Sequence, residues 1–158
     1  PLKAVLLKCY KIAYATLRTY IMIDFENETK YEIDEDIFED IFSALATDKQ
    51  MELIVVNDGR IRELNSEHRG IDKATDVLSF PIKHSKTNFL GSVIISADTA
   101  STVAKELGHR FEDEMKILFI HGLLHIMGFD HETDNGQMRQ KEIEIAARFA
   151  LSAPLTQR

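Results

Sequence analysis

The chain has 158 residues, 44% of them hydrophobic, and a formal net charge of −7 at pH 7. This apolar content is enough for one globular core, and the single cysteine, Cys9, excludes a secreted disulfide scaffold and a four-cysteine zinc module. The negative charge argues against indiscriminate nucleic-acid binding, because that affinity comes mostly from basic groups that neutralise phosphates. We therefore expect one domain over residues 1–158 of a cytoplasmic protein.

Residues 1–18 are the least certain segment. They carry basic side chains and no acidic ones, and lysines interrupt every apolar run. This pattern favours an amphipathic surface helix and argues against a signal peptide. No apolar run in the chain approaches the roughly 18 residues that suggest a membrane span, so we expect no membrane association.

Strands and helices alternate in the first predicted elements. Residues 20–25 predict a short strand, and Asp34 is the predicted cap of a helix that has a single apolar stripe. Residues 51–56 predict a buried strand. A second helix should follow it, capped by Asn57 or Asp58.

Two further strands and then only helices are predicted along the rest of the chain. The strands cover residues 77–82 and 90–96. Asp98 is the predicted cap of the next helix, and Gly108 should end that helix because glycine tolerates the left-handed conformation.

The segment 111–127 is apolar on nearly every side, which predicts a central buried helix that ends at Gly128. Asp134 with Gln137 resembles a capping box that opens a last helix. The predicted fold is therefore α/β (α+β). A single mixed sheet of about four strands is covered by five to six helices, and the central helix carries the candidate metal ligands.

Residues 121–131 read HGLLHIMGFDH and hold three of the six histidines. On a helix, His121 and His125 lie one turn apart on the same face, and the turn at Gly128 can bring His131 to the same point. Three neutral nitrogens would bind one zinc ion per chain and leave a fourth position open for water. The alternative is a set of core histidines satisfied by hydrogen bonds, but burying unpaired imidazoles in so apolar a helix would be costly.

The histidine spacing is that of the metzincin proteases, HExxHxxGxxH, with glycine in place of glutamate at Gly122. In those proteases the glutamate is the general base that activates the metal-bound water. Its absence disfavours a peptidase but leaves a metal-dependent hydrolase possible. A metallopeptidase-like zinc hydrolase is retained as an alternative.

A candidate phosphate contact lies in the segment HRGIDKATDVLSFP, residues 68–81. Arg69 follows a predicted helix, and its planar guanidinium suits bidentate contact with phosphate, although a surface ion pair with Glu67 or Asp72 is the alternative. Three polar residues after it should cap the loop or support the site: Thr75, Asp76 and Ser79. Basic residues across positions 60–86 predict a local face that can bind a polyanion, with a solvated surface of mixed charge as the alternative: Arg60, Arg62, Arg69, Lys73, Lys83 and Lys86.

Three of these motifs together resemble the YbeY-type bacterial ribosomal RNA maturation endoribonucleases. They are the arginine before TDVLSFP, the GSVIIS strand followed by a capped helix, and HGLLHIMGFDH. The resemblance covers about residues 20–150. One departure is Ser92, which follows Gly91 where the family usually has an acidic residue.

The resemblance implies that His121, His125 and His131 bind zinc and that Arg69 is needed for activity. It implies a single-strand-specific, metal-dependent endoribonuclease that acts in 16S ribosomal RNA 3′-end maturation and in ribosome quality control. Its partners would be single-stranded ribosomal RNA and the small ribosomal subunit or its assembly factors, with no DNA. A non-enzymatic ribosome assembly factor with structural zinc is the remaining alternative.

Overall fold

The computed structural model of the protein describes residues 22–46, 48–82, 87–152 and 154–157. The predictions on residues 1–18, on Cys9 and on Lys83 and Lys86 lie outside these ranges. Within them the elements are, in chain order, β1 (Ile23–Asn27), α1 (Asp36–Leu45), β2 (Gln50–Val56), α2 (Asp58–Arg69), β3 (Val77–Pro81), β4 (Phe89–Ser96), α3 (Ala97–Leu107), α4 (Phe111–Ile126), α5 (Gln137–Arg148) and a 3₁₀ helix (Leu155–Gln157).

The four described strands form one mixed sheet in the order β1-β2-β4-β3. The first three run parallel, and β3 pairs antiparallel with β4 at the edge. Gly91 permits that antiparallel pair, since its φ is 140° and a Cβ there would lie 2.2 Å from the carbonyl oxygen of Phe80. The predicted fold class, a mixed α/β structure with one four-stranded sheet under several helices, is confirmed.

The two faces of the sheet are covered unequally. Strand residues such as Leu53, Val93 and Ile95 face the main core, which α1, α3, α4 and α5 complete. The alternate strand residues, among them Ile94, face a small cluster completed by α2 through Ile61. The period-2 alternation of β4 thus directs one set of side chains to α4 and the other to α2.

Helix α4 is the centre of the main core, as predicted. Its buried side chains cover most of its circumference, so it is enclosed by the sheet and by the other helices. Phe119 is fully buried, and its ring centroid lies 5.1 Å from that of Phe38 on α1. Truncating such a ring to alanine typically costs about 3–5 kcal/mol, so this contact is a large part of what fixes α4 in place.

The predicted helix caps are confirmed in part. Asn57 caps α2, with its side chain accepting from the amide of Arg60 at 2.8 Å, and Gly108 ends α3 in the left-handed conformation. The prediction that Asp98 caps α3 is wrong, because Ser96 is the cap. The Asp98 carboxylate instead accepts from the amide of Asp58 at 3.0 Å.

Two other predicted caps hydrogen-bond to amides at the start of their helices but lie one or two residues before the cap position. The Asp34 carboxylate accepts from the amide of Asp36 at 3.1 Å, although the position next to α1 belongs to Glu35. The Asp134 carboxylate accepts from the amides of Gly136 and Met138 at 2.7 and 2.9 Å and so closes the start of α5 without a capping box. Among the described residues, no helix is both long enough and apolar enough to cross a membrane.

Candidate metal centre

Helix α4 carries two of the candidate ligands through the middle of the fold. His121 is only 8% exposed and lies one turn before His125. Gly122, between them, brings the helix against the sheet, since a Cβ at this position would lie 2.5 Å from Cγ1 of Val93 and 3.2 Å from Cγ2 of Val77. The position that carries glutamate in zinc peptidases of this spacing therefore faces the sheet, with no room for a side chain.

Hydrogen bonds indicate which ring nitrogens carry a proton. The others, with a lone pair and no proton, are called bare nitrogens below. The Nδ1 of His121 lies 2.7 Å from a carboxylate oxygen of Glu142, and the Nδ1 of His125 lies 3.1 Å from the carbonyl oxygen of Phe129. Both partners can only accept, so in each neutral ring the proton is on Nδ1 and Nε2 holds a lone pair. The two Nε2 atoms are 3.2 Å apart. Two lone pairs at this distance repel each other unless a cation lies between them.

His131 completes the group. The chain leaves α4 through Gly128, whose φ of 101° suits glycine, and turns back so that the His131 ring centroid lies 5.2 Å from those of His121 and His125. One nitrogen from each ring lies within 4.8 Å of the others. The three predicted ligands are therefore together, and they could hold one metal ion.

The chemistry of these donors fits zinc. Nitrogens about 2.0–2.1 Å from a tetrahedral zinc are separated by roughly 3.3–3.4 Å, close to the distance between the two facing Nε2 atoms. Burial lowers the pKa of His125, and the neighbouring His121 and His131 lower it further. A lowered pKa keeps the ring in the neutral form that binds metal. Because His131 is exposed, the group opens to solvent on one side.

Glu142 is a site residue that the sequence analysis missed. It is 1% exposed, and besides His121 it accepts from the backbone amide of Thr156 at 3.2 Å and from the Thr156 hydroxyl. Burial alone would raise the pKa of Glu142, but the hydrogen bonds from His121 and Thr156 outweigh it and hold the pKa below its ordinary value. A carboxylate in this position fixes the ring orientation of a metal ligand and makes the ligand more basic.

A signal for Glu142 was present in the sequence. Met138, Glu142 and Ile145 lie on the buried side of α5 with the spacing of an apolar stripe. An acid at a stripe position needs a buried partner, because an unpaired carboxylate in a core is very costly. The partner, His121, is 21 residues away in the chain, so only the fold identifies it.

Arg69 lies in the same cleft as the histidines. It is the last residue of α2, after which Gly70 turns the chain in the left-handed conformation. The cleft, of about 880 Å³, is lined by Arg69 and by all three histidines. Of the alternatives for Arg69, the ion pair with Asp72 is not formed, because Asp72 binds Arg62 through two bonds of 2.7 and 2.9 Å.

The predicted basic face is weaker than expected. Arg60 pairs with Glu63 at 3.1 Å, and Arg62 is occupied by Asp72. Within the part of the chain that the structure describes, Arg69 has no carboxylate partner, and it is therefore the arginine of this segment whose guanidinium is available to a phosphate.

The loop residues after Arg69 divide between the two predicted roles. Asp76 accepts from the amide of Val77 at 2.8 Å and from the Thr75 hydroxyl at 3.2 Å, which organises the loop as predicted. Ser79 donates to the carbonyl oxygen of Gly122 at 3.2 Å and thus joins β3 to the ligand helix. All three predicted residues line the cleft.

Ser92, where the sequence departs from the family pattern, lies away from the histidines. Its hydroxyl donates to the carboxylate of Glu52 on the neighbouring strand at 2.6 Å. Ser92 is next to Val93 in β4 and therefore points to the opposite face of the sheet from α4. A carboxylate is present at this point of the sheet, but the neighbouring strand carries it.

Residues 22–150 match the family profile described as Endoribonuclease YbeY. A protein named Endoribonuclease YbeY from Nautilia profundicola is 54% identical over 134 residues, which are 85% of this chain and 96% of that protein. A Helicobacter pylori protein of the same name is 47% identical over 137 residues, 87% of this chain and 98% of that protein.

A solved structure also resembles the fold. The solution structure of a Thermotoga maritima protein superimposes with a TM-score of 0.61 at 26% identity and covers 82% of this chain and 92% of that one. The mixed sheet with its covering helices is therefore shared by a protein whose sequence differs at most positions.

Proposed function

The chain belongs to the family of YbeY endoribonucleases, and we propose that it is a zinc-dependent enzyme that cuts single-stranded ribosomal RNA. The step would be 3′-end maturation of 16S ribosomal RNA together with ribosome quality control. The partners would be the small ribosomal subunit or its assembly factors, in the cytoplasm. The observation that carries the catalytic part is one cleft that holds both the bare histidine nitrogens and an arginine with no carboxylate partner among the described residues.

His121, His125 and His131 would hold the zinc through one nitrogen each. When bound there, zinc would supply a Lewis acid for the scissile phosphate and would lower the pKa of the attacking group toward neutrality. Glu142 and the Phe129 carbonyl keep protons on the far sides of two rings, so the lone pairs of those rings stay directed into the site.

Arg69 would bind the phosphate that is cut. A guanidinium presents two parallel N–H groups that match two phosphate oxygens, and it remains charged at every accessible pH. Because no acid among the described residues neutralises Arg69, negative charge that develops on the phosphate during cleavage would be stabilised by this side chain.

The form of the cleft favours single strands. Of the residues that line the cleft, His121 is nearly buried, whereas Arg69 and His131 are exposed, so a substrate phosphate would have to reach inward from the surface toward His121. A flexible strand can present one phosphate in this way, whereas the backbone of a duplex is held in a regular helix. Phosphodiesters are also favoured over peptides because no side chain can serve as the peptidase base at Gly122.

The test is a side-by-side assay of single-stranded RNA, duplex RNA and an unfolded peptide, each with and without chelator. We expect chelator-sensitive cleavage of the single strand. Arg69→Ala should keep the metal and the fold but lower kcat by about 10²–10³, the usual effect of removing one transition-state donor. Arg69→Lys should recover little of the activity, since an ammonium group lacks the bidentate geometry.

Arg60→Ala is the matched control, because Arg60 lies on the same helix but is paired with Glu63 and does not line the cleft. It should cleave at the parent rate. An Arg69→Ala variant as active as the parent would remove Arg69 from the reaction. Chelator-sensitive proteolysis without RNA cleavage would replace the proposal with a peptidase, and bound zinc without either activity would favour a structural metal.

A further inference from the structure

Among the described residues, the histidine group lines two clefts. The first is the Arg69 cleft already described. The second, of about 580 Å³, lies on the side of α5 and of the 3₁₀ helix and includes Arg139 in its wall. His121 and His131 line both. A small substrate would need only one of these clefts, whereas a chain-like substrate can occupy both at once.

Arg139, like Arg69, has no carboxylate partner in the part of the chain that the structure describes. Other described arginines are neutralised by carboxylates or packed on an aromatic ring: Arg60, Arg62, Arg110 and Arg148. Arg139 has no such partner within the described residues. The two described arginines that remain available therefore line one cleft each, and His121 and His131 line both clefts.

No contact among the described residues explains why an arginine is present at position 139. Asp134, the acidic residue of the same cleft, directs its oxygens to the amides of Gly136 and Met138 and forms no ion pair with Arg139. Arg139 is also in the first turn of α5, where a positive charge gains nothing from the helix dipole. Its exposed guanidinium thus makes no described contribution to folding.

The acidic side chains of the two clefts also favour phosphate binding in the Arg139 cleft. The described residues that line the Arg69 cleft include three acidic side chains, namely Asp76, Asp130 and Glu132. The described lining of the Arg139 cleft includes one, Asp134, whose carboxylate accepts from backbone amides. Phosphate is repelled less in the second cleft, so a backbone that is cut in the first has a favourable path into the second.

Building on the proposed function, we infer that the RNA strand crosses the histidine centre from one cleft to the other, and that Arg139 binds a phosphate adjacent to the one that is cut. Arg139 touches a phosphate that does not react. It therefore contributes to binding the strand and to its position, while Arg69 acts on the reacting phosphate.

The test measures cleavage of a short single-stranded RNA by the zinc-loaded enzyme at several salt concentrations. Arg139→Ala should raise KM on the order of fivefold with little change in kcat, since an exposed charge contact is modest. Loss of one phosphate contact should also reduce the slope of log KM against log salt by about 0.7. Arg139→Lys should keep the slope of the parent. Metal content and melting temperature should not change.

A modified substrate identifies the contact itself. An uncharged methylphosphonate at one phosphate next to the cleavage site should raise KM of the parent by the same factor as Arg139→Ala, and it should have no further effect on that variant. Lys141→Ala is the control, because Lys141 lies on the same helix but pairs with Glu144 outside the cleft.

The outcomes separate the two proposals. A parent that cleaves RNA while Arg139→Ala behaves like Lys141→Ala in KM and in salt slope overturns the role of Arg139 and leaves the endoribonuclease intact. If each methylphosphonate raises KM of the parent and of Arg139→Ala by the same factor, the role of Arg139 is likewise overturned. A parent that does not cleave RNA overturns the proposed function, and the Arg139 contact with it.

Discussion

Two histidine–glutamate pairs with buried carboxylates occur in the described part of the chain, and their nitrogen–oxygen distances are nearly the same. His121 and Glu142 are 2.7 Å apart, and His109 and Glu114 are 2.6 Å apart. Both carboxylates are 1% exposed. The pairs differ at the second ring nitrogen, which in His109 lies 3.2 Å from the Ser152 hydroxyl and in His121 faces another imidazole.

This difference shows that a histidine–carboxylate pair does not by itself mark a site. A hydroxyl can donate a proton to the free nitrogen of His109, so all polar groups of that pair are satisfied within the protein. The pair then ties the turn between α3 and α4 to the segment after α5. The bare Nε2 of His121 faces the bare Nε2 of His125, and a metal ion bound between them would satisfy both.

The strongest test of this comparison is metal content. The parent should carry about one zinc per chain, and His121→Ala should lose nearly all of it, because one of three ligands is removed from an open site. His109→Ala should retain it. Mass spectrometry of metal per chain gives the answer, with circular dichroism to verify folding. His131→Ala should repeat the loss from an exposed position, and full zinc retention in both ligand variants would disprove the three-histidine site.

Replacing the two carboxylates should also affect zinc binding differently, but by less than replacing the histidines does. Glu142→Gln should weaken zinc affinity by about 10- to 100-fold, the usual effect of removing the carboxylate behind a metal-binding histidine. Glu114→Gln should leave the affinity unchanged, although both variants should lose about 1–3 kcal/mol of unfolding free energy through the disturbed buried hydrogen bond. Competition with a coloured chelator measures affinity, and denaturant unfolding measures stability. Equal zinc affinity in the two variants would contradict the comparison.

The smallest expected effect is on acid stability. A carboxyl whose pKa is lower in the folded state, as for Glu142, stabilises the fold above its unfolded pKa of about 4.3, and this stabilisation is lost as the pH falls through the lower folded pKa. In zinc-free protein, the stability difference between parent and Glu142→Gln should therefore shrink below about pH 4.3. Denaturant unfolding at successive pH values measures it. A difference that stays constant down to about pH 3 would be inconsistent with the pairing.

The sequence predicted those features that depend on neighbours along the chain. The four strands and the ligand helix followed from apolar periodicity, and the meeting of His121, His125 and His131 followed from one helical turn and a glycine. The prediction that Asp98 caps α3 was wrong, although Ser96 and Asp98 are both suitable residue types. The Asp98 carboxylate accepts instead from the amide of Asp58, 40 positions away, and Ser96 caps the helix.

Features that depend on distant partners were not predicted. The role of Glu142 needs His121, and the free guanidinium of Arg69 needs Asp72 to bind Arg62 instead. The second cleft could not be foreseen at all, since Arg139 lies on α5 and reaches the histidines only through the packing of that helix on the core.

The contact of Gly122 with the sheet also bears on how such a protein can evolve. Any side chain at this position would have to displace Val93, 2.5 Å from the added carbon, and with it the helix that carries both His121 and His125. A lineage with this packing cannot acquire the missing glutamate by one substitution and keep its ligands in place. A single substitution to glutamate at this position therefore does not give a protease site, although the histidine spacing matches that of the proteases.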